Sequence, residues 1–413
     1  MKSKEDRPLR SSLKRFSNQA TKSSPQKSSQ KSINKKSAPK TKPKPIENLS
    51  VTISEKTDVF EGRKVDHLRL SLDERNQANS LRDLDQIELI HDAFPAFNFA
   101  DVDTSSYFLN HKLSVPFFIS SMTAGHRFGQ EINRLFLKFS EDHQVLFAVG
   151  SQRRDLESEL KSEWSFRREH PRALVLANIG LAQLISHGPR KVLQLIDRID
   201  AVGIFVHLNP LQECLQPEGT PQFRGAENSL RDLVRDAGVP VIVKEVGCGL
   251  NLTALRRLQN LGVQYFDVSG AGGTHWGRIE SERTMKDPIL AAAALSFRHW
   301  GQGTVQCLHG AISAEIQGHL WASGGVRTGV DVAKLLAVGA EMVGLAKPWL
   351  EALLESSPTT GKAPSSLKIR PNAEASLRDL YAKMRLELAI AMFCTGSMKL
   401  CDLRNSSKWQ RKV

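Results

Sequence analysis

Residues 323–327 read SGGVR, at the end of an apolar run and just ahead of a helical pattern. Adjacent glycines let backbone N–H groups approach an anion, and a following helix offers its N-terminus to the same charge. Arg327 adds a fixed cation with a fork of donors. The competing reading is a tight strand-to-helix turn that needs positive φ. The arginine favours a phosphate.

Seven other apolar runs also end in polar residues. These ends carry Ser120, Ser121, Met122 and Thr123; Ser151, Gln152 and Arg153; Asn178; and His207 with Asn209. Then come Lys244 and Glu245; Ser269 with Gly272, Gly273 and Thr274; and Ala346 with Lys347. One such residue is readily a satisfied core group, but eight polar ends are hard to explain by packing, because buried unpaired polar groups are costly. No close carboxylate pair of the kind glycoside hydrolysis needs is present.

The elements that must position these ends are legible from about residue 113. The expected strands are 115–120, 145–150, 173–180, 202–209, 239–247, 263–270, 319–325 and 341–346. Their near-continuous hydrophobicity suits strands buried on both faces, and amphipathic stretches of helical length separate them. Gly238, Gly262 and Gly339 each stand where a helix ends and a strand begins. Eight strands with crossover helices predict a (β/α)8 TIM barrel rather than an open doubly wound sheet, with function at the C-terminal ends of the strands. No GxGxxG follows the first strand, which argues against a dinucleotide fold of that signature. The expected domains are a basic tail (1–46), an N-terminal cap (47–112) and the barrel with a final helix near 376–396 (113–400). The interval 276–317 reads as an insertion on the functional face.

The 413 residues carry a formal charge of +13, and residues 1–46 hold fourteen Lys/Arg against Glu5 and Asp6. The high charge therefore says little about the folded part. The tail is Ser-, Lys-, Pro- and Gln-rich, with too few large apolar residues to offset its ordering entropy, so disorder is expected. Lysines outnumber arginines in it, which weakens a transit-peptide reading without closing it. Its lysines are not interleaved with aromatics, so no specific nucleic-acid partner is expected. Five scattered cysteines without a CxxC indicate neither disulfides nor zinc, and no apolar run spans a bilayer. A cytoplasmic, reducing setting is expected.

The motifs RKVDH (63–67), SSMTAG, GSQR, ANIG, HLNPLQE, QPEG, VIVKEVG, DVSGAGGT and ASGGVRTG…DVAK occur in this order. Their ordered set resembles the type 2, flavin-dependent isopentenyl-diphosphate isomerases over about residues 60–350. The resemblance implies FMN held by Ser121, Met122, Thr123, Ser151, Asn178, Lys244, Ser269 and Thr274. It places the FMN phosphate against Gly325, Val326, Arg327, Ala346 and Lys347. It implies substrate contacts from Arg63, Lys64, His67, Ser151, Gln152, Arg153 and Gln212, and Mg2+ on Glu213. His207, Asn209 and Gln212 would line the reacting end as catalytic residues, with NADPH reducing the flavin. A homo-oligomer acting on a small diphosphate is expected.

Three positions depart from the family pattern: Ala124, Thr220 and His275. The alternative reading is an FMN-dependent 2-hydroxy-acid oxidase or dehydrogenase, which wants a histidine base beside an arginine; His275 and His319 are the candidates. A nucleotide-oxidising barrel would want a cysteine after the sixth strand, where this chain has Thr274 and His275.

Overall fold

A computed structural model describes residues 50–51, 59–122, 127–157, 165–284, 287–355, 366–404 and 406–412. The basic tail, Thr123 and Ala124 lie outside the described residues. Each of the eight apolar runs supplies one strand: β1 (Phe117–Ile119), β2 (Phe147–Ala148), β3 (Val175–Gly180), β4 (Gly203–Leu208), β5 (Val241–Glu245), β6 (Tyr265–Asp267), β7 (His319–Ser323) and β8 (Met342–Leu345). All pairings are parallel and follow chain order, with β8 returning to β1, so the sheet closes into a barrel. The strands are shorter than the runs at one or both ends.

The barrel is filled, as parallel strands buried on both faces require. Phe118, Phe205, Trp321, Leu176 and Ile242 form an inner cluster separate from the larger core beneath the helices. Each of these side chains stabilises the fold by about 1.5–3 kcal/mol through its burial. The hairpin Ser106–Phe108/His111–Leu113 adds Phe108 and Leu113 to this cluster, and Phe108 meets Trp321 edge-on at 5.4 Å between centroids. Gly238, Gly262 and Gly339 all have positive φ, as their helix-ending places require.

Six helices matter for the site. They are α1 (Val59–Ser71), α2 (Pro210–Leu215), α3 (Trp276–Arg283), α4 (Gly329–Val338), α5 (Lys347–Leu353) and α6 (Ala373–Phe393). The last, expected at 376–396, begins and ends three residues earlier, and it packs against α4 and α5. The interval 276–317 is helical in three pieces; the third, Thr304–Ser313, leads into β7. Residues 73–86 form short 3-10 turns stitched to the loop after β6: Ala78 N–H donates to Gly273 O (2.7 Å) and His275 N–H to Asn76 O (2.8 Å). No described helix is long and apolar enough to cross a membrane.

Candidate active site

A cavity of about 630 Å3 opens among the C-terminal strand ends and beneath α1. It has the size of a cofactor pocket. Of the expected cofactor residues, Ser121, Met122, Ser151, Asn178, Lys244, Ser269 and Thr274 all line it. So do the loop residues Gly325, Val326 and Arg327 and the β8–α5 residues Ala346 and Lys347. From α1 come Arg63, Lys64 and His67, and Arg153 joins them from the loop after β2. His207, Asn209, Gln212 and Glu213 enter from β4 and α2. Gln152 is not at the wall. Its buried amide donates to Asp155 (3.1 Å) and accepts from Asn178 N–H (3.1 Å), so it braces the β2 and β3 ends instead.

Lys244, next to last in β5, is in register with Asp267 of β6 and His207 of β4. Its ammonium donates to the carbonyl of Glu245 at 2.5 Å, not to that residue's carboxylate. The Glu245 carboxylate turns to the following backbone, accepting from Val246, Gly247 and Cys248 N–H groups. The two side chains thus diverge, as alternation along a strand demands. Burial lowers the Lys244 pKa, against the pull of Asp267 and Glu245.

His207 Nδ1 donates to Asn178 Oδ1 (3.0 Å). Burial, reinforced by Lys244 and Lys64, pushes its pKa down to about 3. The ring is therefore neutral, Nδ1 carries the proton toward the amide oxygen, and Nε2 is left as an acceptor. Lys64 is half-buried and faces the cavity. Burial, then Arg63 and Arg153, push its pKa down to about 7 against the pull of Glu280.

The residue that the motifs did not expose is Glu280 on α3, fully buried. Its Oε1 accepts from His67 Nε2 (2.9 Å) and Gln212 Nε2 (3.1 Å), and its Oε2 from Arg283 (2.6 Å). Burial raises its pKa, but the His67 bond and the Arg283 charge outweigh it and hold the carboxyl below its usual range. Arg283 also reaches Glu218 at 2.8 Å, which lies 3.5 Å from Arg63. Trp276, one turn before Glu280, lines the cavity and meets His67 edge-on at 5.1 Å.

The phosphate loop departs from expectation in one respect. Gly324 and Gly325 have φ of 107° and 74°, as a close-approach turn requires. The N-terminus of α4, however, is closed by its own sequence, since Asp331 accepts from Arg327 and Thr328 N–H groups at 2.9 and 3.0 Å. The amides left without an acceptor among the described residues are Gly325 and Val326 N–H. The exposed Arg327 guanidinium bonds Asn79, and Lys347 pairs with Glu74 and Glu351.

One departure from the motif pattern, His275, has a structural explanation, whereas the contact at Thr220 is made by its backbone. His275 caps α3, accepting from Arg278 N–H while its Nε2 meets Trp300 O at 2.9 Å. Thr220 N–H donates to Glu213 at 2.6 Å. Neither histidine wanted by a hydroxy-acid oxidase serves as a base here: His275 is consumed in the cap, and His319 starts β7 at the opposite end of the barrel, paired with Glu341 at 2.7 Å.

The residues fit a flavin mononucleotide. Ser121 Oγ is buried at the cavity without a partner, and the Gly325–Val326 amides are ready donors. For Mg2+ the donor set is all oxygen: Glu213, whose carboxylate also accepts from Asn209 Nδ2 (3.0 Å), and the unpartnered buried Asn209 Oδ1. Among the described residues no cluster of three His, Cys, Asp or Glu exists, so a magnesium ion here would draw the rest of its shell from water or substrate oxygens.

The sequence model of the FMN-dependent dehydrogenase family matches residues 209–359. A flavocytochrome b2 structure with sulfite bound superposes with a TM-score of 0.59 at 14% identity, covering 84% of this chain and 82% of its own, a likeness of fold alone. Fold and site together define an FMN-dependent barrel enzyme. An isopentenyl-diphosphate delta-isomerase from Bdellovibrio bacteriovorus is 46% identical over 359 residues, covering 86% of this chain and 99% of its own. The enzyme of that name from Legionella pneumophila is 44% identical over 350 residues, covering 84% and 97%. The chain belongs to the isopentenyl-diphosphate delta-isomerase family, in its flavin-dependent class.

Proposed function

We propose that the protein interconverts isopentenyl and dimethylallyl diphosphate within isoprenoid synthesis, with reduced FMN on the strand ends and Mg2+ at Glu213. The observation that carries this is the pairing of two chemistries in one cavity. Arg63, Lys64 and Arg153 gather within reach of one another's charge, and neutral His207, Asn209 and Gln212 line the same cavity. A diphosphate with a short apolar tail has the same two-part chemistry.

Moving the double bond needs a proton added at one carbon and removed at another. When bound, reduced FMN would supply that acid and base without net redox change. NADPH is then required only to reduce it at the outset. The chain's residues position and screen. Lys244 places a cation at the floor, where charge beside a flavin ring tunes its electronics. Arg63, Lys64, His67 and Arg153 bind the diphosphate, with Ser151 beside them. Glu213 and Asn209 would hold the metal ion through their oxygens, and its charge would favour the diphosphate. Gln212 is held by Glu280 on one side and Asn209 on the other, so its amide has one orientation at the reacting end. The neutral state of His207 keeps a competing acid away from the alkene.

On this reading residues 47–112 act as a substrate-binding cap on the barrel. A cytoplasmic setting and assembly into a homo-oligomer complete the proposal. The test is an anaerobic assay of the purified protein with isopentenyl diphosphate, Mg2+ and NADPH, product being detected as dimethylallyl diphosphate. A yellow protein that makes none, yet is reduced by a 2-hydroxy acid, would replace this reading with the oxidase one.

A further inference from the structure

Arg82 belongs to none of the motifs to which a ligand was assigned, yet its side chain is only 8% exposed. Its Nε donates to Gly325 O at 2.8 Å, across 243 residues of sequence. One terminal nitrogen donates to Asp331 Oδ1 at 2.5 Å, and the other pairs with the exposed Asp85. The other oxygen of Asp331 accepts from Arg327 and Thr328 N–H. The stem of Arg82 passes over Gly272, where a Cβ would lie 3.1–3.2 Å from its Cα, Cβ and Cγ.

A trans peptide points its carbonyl and the next N–H to opposite sides. Holding Gly325 O from one side therefore fixes Val326 N–H on the other, and Val326 lines the cavity. The same guanidinium anchors the carboxylate that closes the start of α4, so loop and helix move as one piece. Its charge is offset by Asp331 and Asp85, which leaves position rather than field as its contribution. A lysine lacks the fork needed to bridge a carbonyl and a carboxylate together.

We propose that Arg82 is the positioning residue of the cofactor-phosphate loop, holding the Gly325–Val326 amides ready for a phosphate monoester. This rests on the reading that the FMN phosphate lies at that loop. The experiment titrates flavin-stripped full-length protein with FMN and with riboflavin, which lacks only the phosphate, following flavin fluorescence. The wild type should prefer FMN. Arg82→Met should lose about tenfold of that preference, the scale of a charged hydrogen bond, while riboflavin affinity changes by less than about twofold. General loosening of the fold would weaken both ligands together. Arg82→Gln provides the same ratio should Arg82→Met not fold. A variant that keeps the wild-type ratio, or loses both affinities equally, overturns the role of Arg82. A wild type that binds both flavins equally instead removes the phosphate reading beneath it.

Discussion

His67 of α1 and Glu280 of α3, 213 residues apart, meet at 2.9 Å above the cavity. Their bond fastens the N-terminal helix to the excursion after β6, and Gln212 shares the same carboxylate oxygen at 3.1 Å. Glu280→Gln offers one acceptor oxygen where three donors converge. It should lower kcat roughly tenfold to hundredfold, the range for losing charged hydrogen bonds. FMN affinity should stay at the wild-type value, because Glu280 is absent from the cavity wall. Steady-state kinetics with a parallel flavin titration separates the two; a matching loss of FMN would disprove this division of labour.

Lys64 makes substrate affinity pH-dependent. Its pKa of about 7 in the ligand-free enzyme follows from burial and from Arg63 and Arg153, with Glu280 opposing and His67 close by. An arriving diphosphate favours the protonated form, so binding takes up a proton. Below pH 7 the ammonium is already charged and affinity is flat. Above pH 7 affinity should fall by up to about tenfold per unit until the pKa of the bound state is passed. KM measured from pH 6 to 9 should rise in the wild type beyond the same curve for Lys64→Gln, which carries the substrate's own ionisation. Parallel curves would remove Lys64 from the titration.

The barrel was legible because its strands are buried on both faces, so each prints a continuous apolar run with a polar end. The strand-end residues followed from that alone, and the ordered motifs supplied the roles proposed for them. Glu280 was not legible. The segment WGRIESER has the charge of a solvated helix, and only the fold turns Trp276, Glu280 and Arg283 inward on one face. Arg82 was hidden for the same reason, since a contact across 243 residues leaves no periodicity. The α4 N-terminus misled in the opposite sense. TGVD reads as an open anion site, but the acid three residues after Thr328 closes it from within.

Gly325→Ala tests the loop geometry. Its φ is 74°, and a Cβ there would sit 2.8 Å from Gly272 O, a backbone atom with little freedom to move. The strained conformation alone should cost about 1–3 kcal/mol. Apo-protein stability should fall by that amount in denaturant titration, and FMN should bind more weakly because the Gly325 and Val326 amides shift. Unchanged flavin affinity in a destabilised variant would place the phosphate elsewhere.

Glu213 carries the proposed dependence on magnesium. Its carboxylate is buried and held by Asn209 Nδ2 at 3.0 Å and Thr220 N–H at 2.6 Å, both neutral donors. Gln fits the same volume, but its amide nitrogen would face Asn209 or Thr220 as a second donor. Glu213→Gln should therefore raise the Mg2+ concentration for half-maximal turnover by about tenfold or more, the loss of one charged contact to the ion. Chelation with EDTA should abolish wild-type turnover while the visible flavin spectrum stays bound-like, because no cofactor residue depends on the metal. Isothermal titration of Mg2+ without substrate should show little binding, since the described protein ligands alone do not make a three-residue site. Tight metal binding in the absence of diphosphate would mean that the ion is resident and that the substrate does not help to build its shell.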